Sequence, residues 1–309
     1  MSIRIIFLGT GAAVPTAQRS LSAVMVQRGT EQIMFDCGEA VQRQMICAKV
    51  GLNKKQKIFV THMHGDHVLG LPGLLQTMAL MDRKKSVDIY GPVGLAHFLD
   101  CLRETLQFGL TFLVNVHEIS EAGIICDEED YLVEAERSNH AILSFSFAFV
   151  EKPRPGKFHP DKARALGVPQ GEAWGKLQRG SEYVFPDGRV VKAEEVAGQP
   201  RKGRKIVYTG DTKPFDKFAS FAIGADLVIH EATFDDTLFE KAEIDGHSTP
   251  SQAAQEAKLA NATSLVLTHI SARYTETSLL LEQATKIFPK TVVAHDFLEL
   301  ELPLGGELL

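Results

Sequence analysis

The segment Thr61–His67 contains the densest set of metal-ligand residue types in the chain. It reads Thr-His-Met-His-Gly-Asp-His and directly follows a short apolar run. Because side chains alternate along an extended chain, His62 and His64 are expected to point the same way. Asp66 and His67 then lie on the following turn and can face a second ion. Imidazole and carboxylate are ligands that Zn²⁺ favours, so this segment predicts metal chemistry.

Three further candidate ligands lie far downstream of this segment, at His140, Asp211 and His269. Asp211 and His269 follow apolar runs, and the functional groups of α/β proteins gather beyond the carboxyl ends of strands. His140 precedes the apolar run Ser144–Val150 and fits that rule less well. Each residue alone is a weak signal, since a single histidine beside a strand is usually an ordinary polar residue. The complete ordered set is far more specific.

The elements that must position these residues can be predicted from periodicity. Short β-branched or apolar runs alternate with segments of helical period, which predicts an α/β fold with helices covering the sheets. Thr249, Pro250 and Gln252 predict a helix start with a capping box. The predicted strands are Ile3–Leu8, Gln32–Phe35, Ile58–Thr61, Val87–Tyr90, Thr111–Val116, Ser144–Val150, Lys205–Thr209, Asp226–Ile229, Ser264–Thr268 and Thr291–Ala294, and the predicted helices are Glu39–Val50, Val68–Met81, Val93–Leu106, Pro250–Ala260 and Thr277–Phe288.

One stretch, residues 151–204, interrupts this alternation. It is rich in Pro, Gly, Lys and Arg, and a short helix (Pro160–Leu166) and a hairpin around Pro186–Gly188 are expected within it. From Glu151 to Lys205 there are 13 basic and 7 acidic residues, although the whole chain has a formal net charge of −6. The stretch is therefore either a long surface excursion or a basic arm that contacts a polyanion.

The composition fits a globular protein in a reducing compartment. Apolar residues make up 44% of the 309 residues and charged residues 23%, and no apolar run approaches the ~20 residues that span a bilayer. The first residues are expected to form a strand and not a signal peptide. The four cysteines form no CxxC pair, so we expect free thiols, a cytoplasmic location and no membrane association.

The ordered ligand set resembles the metallo-β-lactamase superfamily, and further motifs resemble ribonuclease Z. The resemblance covers nearly the whole chain and fits the short form of that family. It implies a four-layer αβ/βα sandwich formed by a single domain, residues 1–309, with residues 151–204 as an inserted tRNA-binding arm. The motifs are Phe7–Gly11, Phe35–Glu39, His230–Thr233, Gly246–Thr249, Ile270–Tyr274 and Ala294–Phe297.

The resemblance also implies the roles of the candidate ligands. Two zinc ions are expected per subunit, with Asp211 bridging them, because two metal ions can activate a water and clamp a phosphate through its displacement. Asp66 is expected to orient or deprotonate that water as well. His247 is expected to donate a proton to the leaving oxygen, although it can also be only a polar residue before a helix. The implied ligands are His62, His64 and His140 for one ion and Asp66, His67 and His269 for the other.

Other polar residues are weaker candidates for supporting roles. Asp36 is expected to orient the metal loop, or to be structural. His230 and Glu231 can hold a catalytic group in place as a carboxylate–imidazole pair. Arg273 suits a substrate phosphate, but a buried salt bridge is an equal alternative. The family contacts the tRNA 3′ end at the positions of Glu39 and Gln42–Gln44, and no ligand role is expected for His97, His117, His159 or His295.

The implied activity is removal of the 3′ trailer from precursor tRNA by a zinc-dependent endoribonuclease, usually a homodimer. The family commonly has Gly-Pro where this chain has Gly171-Glu172, which leaves the conformation of the arm tip open. A small-molecule hydrolase of the same superfamily is the alternative, because fold and ligands do not name a substrate. An inactive RNA-binding protein is disfavoured by the complete ligand set, and a nuclease with an inserted β-CASP domain is disfavoured by the chain length.

Overall fold

The computed structural model describes residues 2–304, which form two compact units. One unit contains residues 2–128, 132–150 and 205–304, and it carries all the candidate metal ligands. The other contains residues 129–131 and 151–204, which include the basic stretch.

The helices and strands alternate through most of the chain. The strands are β1 (Ile3–Gly9), β2 (Gly11–Ala12), β3 (Ala23–Arg28), β4 (Glu31–Phe35), β5 (Lys55–Phe59), β6 (Val87–Pro92), β7 (Val114–Ile119), β8 (Gly123–Asp127), β9 (Tyr131–Arg137), β10 (Phe145–Glu151), β11 (Tyr183–Val184), β12 (Val190–Val191), β13 (Lys205–Tyr208), β14 (Leu227–Glu231), β15 (Leu265–Thr268), β16 (Ile270–Ser271), β17 (Thr291–Val293) and β18 (Glu299–Leu302). The helices are α1 (Val41–Cys47), α2 (Gly65–Val68), α3 (Gly70–Leu80), α4 (Leu95–Leu106), α5 (Pro160–Ala165), α6 (Glu172–Gln178), α7 (Ala193–Val196), α8 (Phe218–Phe221), α9 (Phe239–Asp245), α10 (Pro250–Leu259) and α11 (Ser278–Thr285), with a 3₁₀ turn at Asp236–Leu238.

Two seven-stranded sheets form the centre of the larger unit. Their strand orders are β18-β1-β3-β4-β5-β6-β7 and β17-β15-β14-β13-β10-β9-β8. Aromatic rings join their inner faces: Phe35 stacks on Phe147 at 6.1 Å and on Tyr208 at 5.4 Å between ring centroids. The outer face of the first sheet packs against α1, α3 and α4, and that of the second against α8, α10 and α11. The expected four-layer α/β sandwich is confirmed.

The candidate ligands lie beyond the ends of strands. In the second sheet β13, β14 and β15 run parallel, with Tyr208 opposite Ile229 and Glu231 opposite Thr268. The segments that follow these strands therefore meet at one edge. His140 was expected to precede its strand, but it also follows one, β9. We did not predict β9 because its buried residues alternate with polar ones and form no apolar run.

The smaller unit has a hydrophobic core of its own. Trp174, the one tryptophan of the chain, is buried there and donates from its indole nitrogen to Val168 O at 3.0 Å. Glu151 and Arg204 stand at the two ends of the segment and form a buried ion pair at 2.7 Å. The expected short helix is present as α5, and the expected hairpin as β11 and β12. The core residues are Ala163, Val168, Ala173, Trp174, Leu177, Val191 and Val196.

Two smaller predictions can be compared directly with the structure. The capping box is present, since Thr249 Oγ1 accepts from Gln252 N and the Gln252 side chain accepts from Thr249 N. The four cysteines are all free thiols. Within residues 2–304, no helix is long and apolar enough to cross a membrane.

Candidate metal centre

Seven of the predicted site residues converge into two groups that share Asp211. The donor atoms within each group all lie within 4.8 Å of one another. The groups are His62, His64, His140 and Asp211, and Asp66, His67, Asp211 and His269. Each group offers four N and O donors, which is the number that a tetrahedral zinc site uses.

Hydrogen bonds at the outer ring nitrogens fix which nitrogen faces the centre. His67 Nδ1 lies 2.7 Å from Asp36 Oδ2, and His140 Nδ1 lies 2.8 Å from Gly246 O. Because a carboxylate and a carbonyl only accept, both Nδ1 atoms carry the proton. In the neutral form of each imidazole, Nε2 then carries the lone pair that can bind a cation. Such outer hydrogen bonds are typical of metal-binding histidines.

Two threonines fix the same tautomer in the other two buried imidazoles. Thr61 Oγ1 donates its single proton to Asp36 at 2.9 Å, so it accepts from His62 Nδ1, also at 2.9 Å. Thr233 Oγ1 likewise donates to a carboxylate at 2.6 Å and accepts from His269 Nδ1 at 2.8 Å. Neither threonine was singled out from sequence, although Thr61 stands directly before the first ligand.

The inner nitrogens of the two groups approach one another closely. His64 Nδ1 lies 3.0 Å from His62 Nε2 and 3.3 Å from His140 Nε2. In the second group, His67 Nε2 lies 3.3 Å from His269 Nε2. Lone pairs that face each other at these distances are stabilised by a cation between them. The donor set therefore fits two metal ions.

Asp211 gives independent support for this interpretation. It is buried, and its Oδ1 has no hydrogen-bond partner in the described part of the chain, although it lies 3.2 Å from His269 Nε2 and 3.3 Å from His67 Nε2. Burial alone would raise the pKa of Asp211, but His269, His67 and His62 hold it well below its ordinary value. An ionised, unpaired oxygen in the interior is costly unless it binds a cation.

The same electrostatic field acts on the neighbouring groups. Burial alone would lower the pKa of His67, but Asp211 and Asp36 raise it well above its ordinary value. The pKa of Asp66 is lowered although burial opposes this, because the side chain contacts His269 and His67. Positive charge is therefore favoured at this position, either as a proton or as a metal ion.

Comparisons with known proteins agree with this geometry. A family model described as anti-Pycsar protein Apyc1 matches residues 3–152, and one described as a beta-lactamase superfamily domain matches residues 191–270. Ribonuclease Z of Methanosarcina acetivorans is 45% identical over 306 residues, which cover 99% of this chain and 100% of that protein. Ribonuclease Z of Haloferax volcanii is 45% identical over 98% of this chain and 96% of its own length. The chain belongs to the ribonuclease Z family.

Solved structures of related proteins match the same fold. The crystal structure of human tRNase Z, short form, matches with a TM-score of 0.72 and 33% identity over 97% of this chain and 99% of that chain. The metallo-beta-lactamase fold protein YhfI of Bacillus subtilis matches with a TM-score of 0.69 at 18% identity, over 97% of this chain and 99% of its own, and supports the fold alone. As a ribonuclease Z family member, the protein is an enzyme, and the family resemblance seen in its motifs is confirmed.

The family member has a second polar assembly beside the metal centre, formed by His247 and Glu231. His247 Nδ1 lies 2.8 Å from Glu231 Oε1, and Thr212 N also donates to this oxygen at 2.9 Å. Burial alone would lower the pKa of His247, but Glu231 and Asp211 raise it to about 9. In the metal-free protein the protonated form of the His247 imidazole is therefore favoured at neutral pH. Glu231, His247 and His269 also lie close enough to hold an ion, but His269 is shared with the second group and Glu231 already binds His247.

Asp36 lies below both ligand groups and connects them. Its carboxylate accepts from Thr61 N at 2.8 Å, from His67 Nδ1 at 2.7 Å and from the hydroxyl of Tyr208 at 2.8 Å. It is fully buried and has a φ of 57°, which an aspartate tolerates better than most residues. The sequence left its role open, and the structure places it in contact with a ligand imidazole.

His230 does not join the site, contrary to the expectation that it would hold a catalytic group together with Glu231. Its Nε2 lies 2.8 Å from Glu256 Oε2, and its Nδ1 donates to Glu231 O at 2.7 Å. The reason is geometric: neighbouring residues of a strand point to opposite faces, so only one of the pair can face the metal centre. That alternation was visible in the sequence.

A cavity of about 700 Å³ opens beside the metal ligands. Glu39 and Arg273 both line it. Arg273 is exposed, stacks over the ring of Phe234 at 4.8 Å and forms no buried salt bridge. Gln44, in contrast, donates to Leu8 O inside the core, and Gln42 does not line the cavity. Glu39 and Arg273 thus lie beside the candidate metal ligands, whereas the side chain of Gln44 points into the core.

The remaining histidines stay outside the candidate metal groups of residues 2–304. His117 stacks on Tyr90 at 4.4 Å, and His295 Nδ1 donates to Asp296 O at 2.9 Å. His97 contacts the sulfur of Cys101 on an exposed helix face.

Replacing Glu231 by Gln should lower the pKa of His247 from about 9 towards the ordinary histidine value of 6.5. The pKa of His247 is raised on folding, so its contribution to stability is fully present below pH 6.5. It is lost as the pH rises through about 9. NMR titration of the His247 imidazole in metal-stripped protein measures the shift directly.

Glu240→Gln serves as the matched control, because Glu240 is exposed and lies in the neighbouring helix α9. This variant should leave the pKa of His247 at about 9. An unchanged pKa of His247 in Glu231→Gln would show that the carboxylate does not hold the proton there. The destabilisation by Glu231→Gln should also be larger below pH 6.5 than above the pKa of His247.

Proposed function

We propose that the enzyme removes the 3′ trailer of precursor tRNA by hydrolysing one phosphodiester bond, with two zinc ions held by the two ligand groups. The observation that carries this proposal is the pair of four-donor groups sharing Asp211, beside a cavity that also exposes His247. The printed names of the relatives, ribonuclease Z and tRNase Z, support RNA and tRNA as the substrate class.

The chain's own residues perform the proton transfers. When bound, the metal ions supply the Lewis acidity that activates a water and polarises the phosphate. Asp66 Oδ2 is held by Ala13 N at 2.8 Å and faces the cavity, where it orients the attacking water or accepts its proton. His247, kept protonated by Glu231, donates to the leaving 3′ oxygen. The products are a tRNA with a 3′-hydroxyl and a trailer with a 5′-phosphate.

Residues 151–204 are proposed as the tRNA-binding arm, inserted in a single catalytic domain of residues 1–309. Several of its cations are exposed, among them Lys157, Lys162 and Arg189. Arg189 stacks on the ring of Phe185 at 3.9 Å, which holds its guanidinium in one orientation. Structured RNA is recognised mainly through shape and backbone phosphates, which exposed cations can contact. Glu172 stands where the family commonly has Pro, and it pairs with Lys176 at 3.3 Å.

The function is tested by cleavage of a 3′-extended precursor tRNA beside hydrolysis of bis(p-nitrophenyl) phosphate. Wild type should cut the RNA at one position, and His64→Ala should lose both reactions by about 100-fold or more because a metal ligand is missing. Replacing residues 155–200 by Gly-Gly should abolish only the RNA reaction. Arg154 and Arg201 form a backbone bridge that closes the segment at this point, so the junction is short.

A second variant controls for misfolding of the protein that lacks residues 155–200. Lys157→Gln combined with Lys162→Gln keeps the arm core and should weaken cleavage of the RNA while leaving the small ester unaffected. If wild type hydrolyses the small ester and ignores precursor tRNA, the protein is a small-molecule hydrolase of the superfamily. If it does neither and binds no metal, it is an inactive RNA-binding protein.

The enzyme is further proposed to act as a homodimer in the cytoplasm, with the arm of one subunit holding the tRNA cleaved by the other. Helices α1 and α3 expose large apolar side chains, including Ile46 at 59% and Leu80 at 88% of full exposure. Exposed apolar groups on packed helices are typical of protein interfaces, and a second copy of this chain is the partner that the family suggests.

Light scattering during gel filtration tests the homodimer. Wild type should elute at twice the 34.0 kDa mass of the chain, and Leu80→Asp should shift it towards the monomer because the charge lies in the interface. Leu259→Asp is the control, since Leu259 is 60% exposed at the end of α10, which packs on the second sheet and not on the first. A monomeric wild type would remove the dimer from the proposal and leave the chemistry unaffected.

A further inference from the structure

The cavity beside the metal ligands has two chemically different sides. Near Asp66 it is lined by small or apolar residues, among them Ala13, which donates its N–H to that carboxylate, and by the acidic Glu39. Near His247 it is lined by Phe234 and by two cations, Lys241 and Arg273. Among the residues that line the cavity, the lysine and arginine side chains therefore lie only on the His247 side, where a bound substrate would meet them.

Lys241 is tied to His247 through the backbone and through an aromatic ring. It lies on α9, and the next residue, Ala242, accepts a hydrogen bond from His247 N at 2.8 Å. The ammonium lies 5.3 Å from the centre of the Phe234 ring, and that ring lies 5.9 Å from the ring of His247. Any change in the position of α9 would therefore move both residues together.

The ammonium of Lys241 can bind one more anion. Asp245 lies 2.6 Å from Nζ and engages one of its three protons. The contact with the face of Phe234 adds attraction for the charge without using a donor. Both Lys241 and Asp245 line the cavity, so the ammonium is held near the substrate by neighbours that leave donors free.

The chemistry of cleavage indicates which phosphate of the RNA would lie near Lys241. His247 donates to the leaving oxygen, which is the 3′ oxygen of the last tRNA nucleotide. That nucleotide must therefore lie against the His247 side of the cavity, and its own 5′ phosphate is the next anion along the RNA on that side. The trailer extends from the cleaved phosphate and leads away from the leaving oxygen.

We propose that Lys241 binds the phosphate on the 5′ side of the last tRNA nucleotide and so fixes the register of the RNA over the metal centre. The proposal rests on the proposed function. The substrate and the tRNA product both carry this phosphate. Lys241 therefore acts in RNA binding and not in the bond cleavage itself.

The test neutralises that single phosphate. Precursor tRNA with a 2′-deoxy methylphosphonate at the position is compared with the matching 2′-deoxy phosphate, in wild type and in Lys241→Met. With the charged linkage, Lys241→Met should lower kcat/KM about tenfold. It should also reduce the slope of log kcat/KM against log salt concentration by about one. With the neutral linkage, the kcat/KM of wild type should fall to that of Lys241→Met. The kcat/KM of the variant should be the same with either linkage.

Lys286→Met is the matched control, because Lys286 also has an acidic partner four residues away, Glu282, but lies outside the cavity. It should cleave the RNA like wild type. Equal cleavage of RNA by Lys241→Met overturns the proposal, as does an equal response of wild type and variant to the neutral linkage. A wild type that does not cleave precursor tRNA overturns the proposed function instead.

Discussion

The convergence of unprotonated ring nitrogens and carboxylates on a common centre is the constraint on which the rest of the structure depends. Hydrogen bonds at Nδ1 leave the lone pairs of His62, His67, His140 and His269 facing inward. Asp211 adds a buried oxygen that has no hydrogen-bond partner among residues 2–304. Such an arrangement is unfavourable without cations and favourable with them. Metal ions at this centre are therefore expected to stabilise this edge of the sandwich.

The fold brings these groups together by ending strands at one edge. Three parallel strands of the second sheet deliver Asp211, Glu231 and His269, and the first sheet delivers the segment after β5. Below them Asp36 connects the two sheets, since it accepts hydrogen bonds from Thr61 and Tyr208. Of the four supporting hydrogen bonds, one is local, between His62 and Thr61. The bonds to His67, His140 and His269 come from residues 31, 106 and 36 positions away, so the tertiary fold sets the geometry of the centre.

The sequence predicted most strands, the main helices and the ligand set, because apolar runs, capping residues and metal-ligand types are local signals. It did not predict β3, β8, β9 or β18. In β9 the buried residues alternate with partly exposed ones, so no continuous apolar run marks the strand. His230 lies outside the site because strand alternation turns it to the face opposite Glu231, contrary to the prediction. The role of Thr233 could not be predicted, because a hydroxyl that fixes a tautomer has no sequence signature. The role proposed for Lys241 depends on the position of α9 beside the cavity, which the sequence does not indicate.

The most direct test of the central claim is a titration of metal-stripped protein with Zn²⁺, followed by cleavage of 3′-extended precursor tRNA. The account predicts that activity rises until two equivalents are bound per chain, and that Asp211→Asn, which removes the shared charge, binds fewer ions and stays inactive. Full activity at one equivalent or without added metal, or an active Asp211→Asn variant, would contradict it.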